Sequence, residues 1–236
     1  GWDHRYAFPS IGSTYSSLVT SPMGWESASA TDIPYKLPNM KVSIGKAPAH
    51  VRIGWLRSVI NIPHGLSINV FIDELASAAG KDPLDFRLNL IGEDRIEDTN
   101  NEYKYDTARL KHVLRKAAKN ADWGKELPEG HAQGIALQYS FLSYVATVVE
   151  VSVLNGNLKV HKVHSVIDCG RPINKSTIES QMQGAAIFGM SLAFYGKITA
   201  ENGIISQENF NDYPMIRMSE APPVDVEIID SEEKPT

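Results

Sequence analysis

The hydrophobic pattern of this chain changes its period near residue 130, and this change limits the possible folds more than any other feature. Before it, apolar residues recur every three or four positions, which is typical of amphipathic helices. After it, apolar and polar residues alternate, which is typical of strands with one buried face. The pattern predicts an α+β fold, with helices in the N-terminal half and antiparallel hairpins packed with a helix in the C-terminal half.

Three helices are predicted in the first half. Asp82 is suited to cap the second, with Pro83 in its first turn, and Asp106 is suited to cap the third. Gly80 is a suitable C-terminal stop for the first. The third has a continuous apolar stripe made of Leu110, Val113, Leu114, Ala117 and Ala118. The three helices are expected within residues 67–80, 82–92 and 106–124.

The second half predicts hairpins around one helix. GIALQYSF and YVATVVEVSV are strand-like, and the Asn155-Gly156 pair predicts a tight turn into the returning strand LKVHKVHSVID. A second hairpin is expected at Asn202-Gly203, and VDVEIID forms a last strand. Residues 178–194, IESQMQGAAIFGMSLAF, form the helix between the hairpins.

The predicted domain organisation follows from this pattern. Residues 1–130 are expected to form an irregular or extended segment plus three helices, with short strands near DIPYKL and KVSIG. Residues 131–236 are expected to form a hairpin–helix–hairpin lobe. The chain starts without Met and ends in the polar SEEKPT, so we expect a fragment of a larger subunit, and no targeting signal is visible in it.

Composition excludes several classes of function. A net charge of −5 argues against a nucleic-acid partner, and no apolar run approaches the ~18 residues of a membrane-spanning segment. A single cysteine, Cys169, excludes an internal disulfide and is expected to be a small buried hydrophobe. The compartment stays open between periplasm and cytoplasm.

No single residue identifies a reaction. The chain contains no phosphate-binding loop and no dinucleotide fingerprint. His161 and His164 are three apart on a predicted strand and point to opposite faces, so we predict no metal ligands. Asp73 and Glu74 are adjacent on a helix and point about 100° apart, which favours a salt bridge or a polar face over paired acid–base chemistry.

Several separated motifs together carry a resemblance. GWLRSVINIP is followed by FIDELASAAGKDPLDFRLNLI, then by YVATVVEVSVLNGNLKVHKVHSVIDCGRPIN, and then by IESQMQGAAIFG. This order resembles the molybdenum-binding large subunit of the xanthine dehydrogenase and aldehyde oxidase family, and within it the isoquinoline 1-oxidoreductase beta-subunit branch. The resemblance extends from about Tyr35 to the end of the chain.

The resemblance implies an oxidoreductase that hydroxylates an aldehyde or an N-heteroaromatic compound with oxygen from water. It implies a molybdopterin cofactor, often in the cytosine dinucleotide form. Electrons would pass to [2Fe-2S] clusters on a small iron–sulfur subunit, so that subunit and the rest of the large subunit are the expected partners. Many members of the branch are periplasmic.

Four residues match positions near the cofactor in the family pattern. Arg57 in LRSV takes the place of an arginine that faces the molybdenum ligands, and a surface or interdomain salt bridge is its alternative. Gln181 matches a glutamine that hydrogen-bonds the pterin, and Gly184 and Gly189 match small positions on the same helix. Tight packing of the helix against the sheet, with an exposed Gln181, is the alternative for these positions.

The chain also departs from the family pattern. Val59 replaces an aromatic residue that flanks the substrate, and Asn69 stands where the branch usually has Glu. The catalytic glutamate is expected beyond Thr236, so no catalytic residue is assigned within the chain, and the fragment is expected to be inactive alone. A non-catalytic docking or assembly domain, which would use apolar residues of 1–60, is the competing hypothesis. A hydrolase ranks last because no nucleophile–base pair is visible.

Overall fold

The computed structural model describes residues 1–49, 51, 53–97 and 104–236, and within them both helices and strands form. The helices are α1 (Gly24–Ala28), α2 (Asn61–Ala78), α3 (Pro83–Ile91), α4 (Thr107–Asn120) and α5 (Lys175–Tyr195), with short 3-10 helices at Ile11–Thr14 and Ser29–Thr31. The strands are β1 (Trp2–Phe8), β2 (Met40–Lys46), β3 (Ile96–Glu97), β4 (Tyr105–Asp106), β5 (His131–Ser140), β6 (Ser143–Leu154), β7 (Asn157–Asp168), β8 (Ala200–Glu201), β9 (Ile204–Ile205) and β10 (Val224–Ile228). The predicted α+β class is confirmed.

The largest sheet has four strands in the order β10-β7-β6-β5, so β5 and β10 are its edges. The turn between β5 and β6 contains Phe141 and Leu142, and both have positive φ. The turn between β6 and β7 contains Asn155 and Gly156, also with positive φ, which is the geometry that matches the twist of a hairpin. β10 pairs with β7 in parallel.

The chain forms two compact units. Unit 1 comprises Gly1–Leu114, Ala136–Tyr144 and Thr236, and unit 2 comprises Arg115–Ile135 and Val145–Pro235. The predicted division into residues 1–130 and 131–236 was based on the order of elements along the sequence, and it stays a prediction. No helix in the described ranges is both long enough and apolar enough to cross a membrane.

The helix predictions are confirmed in most details. Asp82 caps α3 by accepting hydrogen bonds from the N–H groups of Leu84 (2.8 Å) and Asp85 (3.0 Å). Asp106 accepts from the N–H of Ala108 at 2.7 Å at the start of α4. All five residues of the predicted α4 stripe are buried. α2 begins at Asn61, six residues before the predicted start.

The N-terminal segment contains an unpredicted strand. β1 pairs in parallel with β2, from Trp2 opposite Met40 to Phe8 opposite Lys46. β2 contains the predicted KVSIG strand. The signal for β1 was present in WDHRYAF, because its aromatic and His side chains alternate with Asp3 and Arg5.

The strand predicted at DIPYKL is wrong. Residues 32–37 form no strand, although Ile33 and Tyr35 are buried as in an alternating strand. Pro34 has no N–H to donate to a ladder, and the N–H of Lys36 donates instead to the carbonyl of Leu90 at 2.7 Å. The alternating burial of Ile33 and Tyr35 therefore comes from a loop that is hydrogen-bonded to α3.

Candidate functional site

The helix α5 carries two of the predicted site residues, and its ends are well defined. Asn174 caps it by accepting from the N–H of Thr177 at 3.1 Å, and the chain leaves the helix at Gly196. The helix packs against β10. Ser191 is its buried residue, and its hydroxyl donates to the carbonyl of Ile187 (2.8 Å) while accepting from the N–H of Ile216 (3.1 Å). The C-terminal part of α5 is therefore fixed in unit 2.

One face of α5 is open. Gln181 and Gly184 are exposed and lie three positions apart, so they share a face, and Gly189 is exposed further along the helix. A Cβ at Gly184 or Gly189 would meet no atom within 4 Å. Packing within the described chain therefore does not explain the two glycines, although each costs about 1 kcal/mol of helix propensity relative to alanine. The face has room for a bulky group.

The turn that leads into α5 is sterically restricted to glycine. The side chain of buried Asp168 accepts from the N–H of Gly170 at 3.1 Å. Gly170 has φ 72°, and a Cβ there would collide with the carbonyl oxygen of Lys234. The N–H of Arg171 donates to the carbonyl of Glu233 at 2.9 Å. The C-terminal tail thus holds the Asp-x-Gly turn in unit 2.

Arg57 lies in an exposed turn just before α2. The two residues after it, Ser58 and Val59, have φ values of 68° and 51°. This conformation is rare outside glycine and is rarest for β-branched residues such as Val59. Hydrogen bonds from the N–H of Val59 to the carbonyl of Leu56 (3.1 Å) and from that of Asn61 to the carbonyl of Ser58 (2.8 Å) close the turn. No residue type in LRSV predicted this conformation.

The helix that follows this turn is anchored by a buried amide. The side chain N–H groups of Asn69 donate to the carbonyls of Gly65 (2.8 Å) and Leu137 (2.9 Å). Its Oδ1 accepts from the N–H of Leu137 at 2.9 Å. The carboxylate of a Glu has no N–H to donate to the Leu137 carbonyl, so Asn69 is suited to this position on physical grounds.

Asp73 has a structural partner, as its position on a polar face predicted. Its Oδ1 accepts from Nη1 of Arg87 at 2.6 Å, and the side chain of Arg87 is fully buried. Arg87 also donates to the carbonyls of Pro83 and Asn69, both at 3.1 Å. The pair joins α2 to α3 within unit 1.

The histidines on the sheet serve different contacts. His161 stacks on His131 with ring centroids 4.5 Å apart and is hydrogen-bonded to the hydroxyl of Ser152 at 2.8 Å, whereas His164 lies 3.6 Å from Asp225.

A hydrogen bond from Lys125 is the main cause that lowers the pKa of Glu150, which lies beside His131. Over the described ranges, no three His, Cys, Asp or Glu side chains are placed to bind a metal ion. Cys169 is buried.

The predicted site residues are only partly brought together. Gln181 and Gly184 share one face of α5 in unit 2, whereas Arg57 belongs to unit 1. The association of Arg57 with the α5 face therefore stays a prediction. The open face fits a large planar group such as a pterin, because it has space above Gly184 and an amide at Gln181 that both donates and accepts.

Comparison with known proteins gives the following relatives. The chain is 30% identical over 192 residues to a membrane-bound aldehyde dehydrogenase [pyrroloquinoline-quinone] of Gluconacetobacter polyoxogenes, covering 78% of this chain and 25% of that protein. It is 25% identical over 231 residues to isoquinoline 1-oxidoreductase subunit beta of Brevundimonas diminuta, covering 96% of this chain and 27% of that protein. The chain thus spans about a quarter of the length of these relatives.

A solved structure shares the fold. The aldehyde oxidoreductase of Desulfovibrio gigas superposes with a TM-score of 0.64 at 10% identity, covering 99% of this chain and 42% of that chain. The sequence profile of the molybdopterin cofactor-binding domain matches residues 74–222, which is more than half of the chain. This chain therefore belongs to the molybdopterin cofactor-binding domain family.

Proposed function

We propose that this chain is part of the large subunit of a molybdenum hydroxylase, and that the open face of α5 lies against the pterin. The observation that carries the proposal is the clear space at Gly184, beside the exposed amide of Gln181. The family match covers both residues.

The proposed parent reaction is oxidative hydroxylation of an aldehyde or an N-heteroaromatic compound with water, and electrons leave through a small iron–sulfur subunit. When bound, the molybdenum–pterin group, in its plain or cytosine dinucleotide form, would supply the redox chemistry. Gln181 would donate to and accept from the pterin edge, and Gly184 would permit its close approach. Arg57 would hold a fixed positive charge towards the anionic side of the cofactor.

The general base is proposed to be a glutamate supplied from beyond Thr236, so the chain by itself would not turn over substrate. The parent sequence tests this part directly. A glutamate within a Gly-rich loop shortly after Thr236 supports the assignment, whereas a parent without one contradicts the catalytic role.

Cofactor retention tests the α5 face. In the whole protein, Gln181→Leu and Gly184→Leu are each expected to lower the molybdenum and pterin content, because one removes the amide and the other fills the space. Gly184→Leu should also keep or raise the melting temperature, since leucine favours a helix by about 0.8 kcal/mol over glycine and a Cβ at this position meets no atom within 4 Å. Gln183→Leu is the matched control, because Gln183 bonds Glu179 on the same helix.

Two outcomes would redirect the proposal. Unchanged molybdenum and pterin in both variants would contradict a cofactor at this face. Pyrroloquinoline quinone, which the name of the Gluconacetobacter relative contains, would replace the pterin if the purified protein holds it and no molybdenum.

A docking or assembly domain is the second candidate. Residues 1–60 expose large apolar side chains, including Leu18, Trp25, Val51 and Leu56. A whole protein that is purified from a molybdenum-replete host with neither molybdenum nor quinone would support this candidate over the enzyme.

A further inference from the structure

A cleft in unit 1 has no role in the proposed function. Its volume is about 900 Å³, and its walls come from residues 9–20 on one side and from residues 46–49, 51 and 53–55 on the other. The volume is within the range of sites that bind small organic molecules. The cleft is open to ligands from solvent because several lining side chains are exposed.

Aromatic rings form one part of this cleft. Trp55 and Tyr15 both line it, and the indole N–H of Trp55 donates to the hydroxyl of Tyr15 at 3.2 Å. Trp25 stacks on Trp55 with ring centroids 5.6 Å apart and an interplanar angle of 25°. Trp55 is nevertheless 55% exposed and Tyr15 is 77% exposed. Rings that are held in place yet remain accessible provide a surface on which a flat ligand can stack.

The wall made of residues 9–20 is fixed by Glu26. Its carboxylate accepts from the hydroxyl of Ser10 (2.6 Å), from the N–H of Ile11 (2.6 Å) and from the N–H of Met23 (2.7 Å). The buried Ser10 hydroxyl in turn accepts from the N–H of Gly12 at 3.1 Å. These bonds fix the loop without a ligand, so binding would not have to order it.

The charge of the cleft favours an anion. Of the described residues that line it, Lys46 is the single charged one, and none is acidic. Ser17 and Thr20 add exposed hydroxyls to the lining, whereas the hydroxyl of Ser13 donates to the carbonyl of Ser10 at 2.7 Å. A cation and hydroxyl donors beside aromatic rings suit a flat molecule that has a carboxylate.

We propose that this cleft binds a planar aromatic carboxylate, with its ring stacked on Trp55 and Tyr15 and its carboxylate at Lys46. The site goes beyond the proposed function, because it needs neither the α5 face nor a cofactor. It is a ligand site of unit 1, in addition to the proposed cofactor face on α5 of unit 2.

Calorimetric titration of the whole protein with 2-naphthoate tests the proposal. Binding is expected for 2-naphthoate. Trp55→Leu is expected to weaken it about tenfold, because one stacking contact of this kind contributes about that much, whereas Trp55→Phe should retain most of the affinity. Lys46→Gln should weaken it about threefold, as for an exposed charge pair. Lys41→Gln is the matched control, since Lys41 lies on the same strand β2 and does not line the cleft.

The outcomes separate this site from the cofactor proposal. Equal binding of cyclohexanecarboxylate would overturn the stacking role, and equal binding of 2-naphthamide would overturn the role of Lys46. No heat of binding from 2-naphthoate, or an unchanged affinity in Trp55→Leu, would overturn the site itself. None of these measurements depends on molybdenum content or turnover, so failure here leaves the α5 assignment standing.

Discussion

Asn69→Leu tests how α2 is held to the part of β5 that belongs to unit 1. β5 is an edge strand, so the backbone groups of Leu137 that point away from the sheet need partners elsewhere. Asn69 supplies both, by donating to the Leu137 carbonyl and accepting from the Leu137 N–H, each at 2.9 Å. Asn69 is 7% exposed and Leu137 is 4% exposed, so water does not readily replace the amide.

The expected loss follows from the two groups that Asn69→Leu leaves without a partner. A buried backbone group that loses its hydrogen bond costs about 1–3 kcal/mol. Two such groups give a loss of roughly 2–6 kcal/mol, and the added apolar surface of leucine offsets about 1 kcal/mol of it. The carbonyl of Gly65 is less affected because the helix supplies it with a backbone donor. We expect the free energy of unfolding to fall by about 3 kcal/mol.

Urea denaturation at 25 °C measures this loss, and hydrogen exchange locates it. The amide of Leu137 should change from slow to fast exchange, while amides of β7 change less. Asn61→Leu is the matched control: Asn61 accepts one bond from Gln138 at 3.0 Å, and Gln138 also donates to the carbonyl of Tyr139, so a loss below about 1 kcal/mol is expected. Equal losses in the two variants, or slow exchange at Leu137 in Asn69→Leu, would refute the reasoning.

Two further predictions concern buried charge. Asp73→Asn removes the ion-pair partner of the fully buried Arg87 and should lower the free energy of unfolding by about 2–3 kcal/mol. This is less than the roughly 3–5 kcal/mol of a fully buried pair, because Asp73 is 42% exposed. Thermal melts of Asp3→Asn, which breaks an exposed pair, should show almost no change. Burial lowers the pKa of His64, so the unfolded chain binds more protons below about pH 6.5, and stability should be full above that pH and fall as the pH decreases. Urea denaturation between pH 8 and pH 5.5 checks this, and a slope that is unchanged in His64→Gln would contradict it.

Local signals in the sequence predicted the elements that depend on near neighbours. Asp82 and Asp106 cap helices because their carboxylates reach N–H groups two or three residues away, and this requires no distant contact. The Asn155-Gly156 and Asn202-Gly203 turns formed as predicted, because both pairs readily adopt positive φ. The apolar stripe of α4 was buried as its spacing indicated.

Distant partners account for what the sequence did not predict. Ile33 and Tyr35 are buried at alternate positions, as in a strand. The N–H of Lys36 nevertheless donates to the carbonyl of Leu90 in α3, so the segment is a loop. β10 pairs with β7 in parallel, and no local pattern distinguishes that pairing from an antiparallel one. The left-handed turn at Ser58 and Val59 has no glycine to indicate it.

The same distinction applies to the candidate sites. The sequence by itself determined the family and singled out Gln181, Gly184 and Arg57, because their identity and order follow a pattern along the chain. Tertiary structure alone decided that α5 is open above Gly184, and that Trp55 and Tyr15 meet across 40 positions in one cleft. Accessible space and contacts between distant residues depend on how the whole chain packs, and the order of residues does not record them directly.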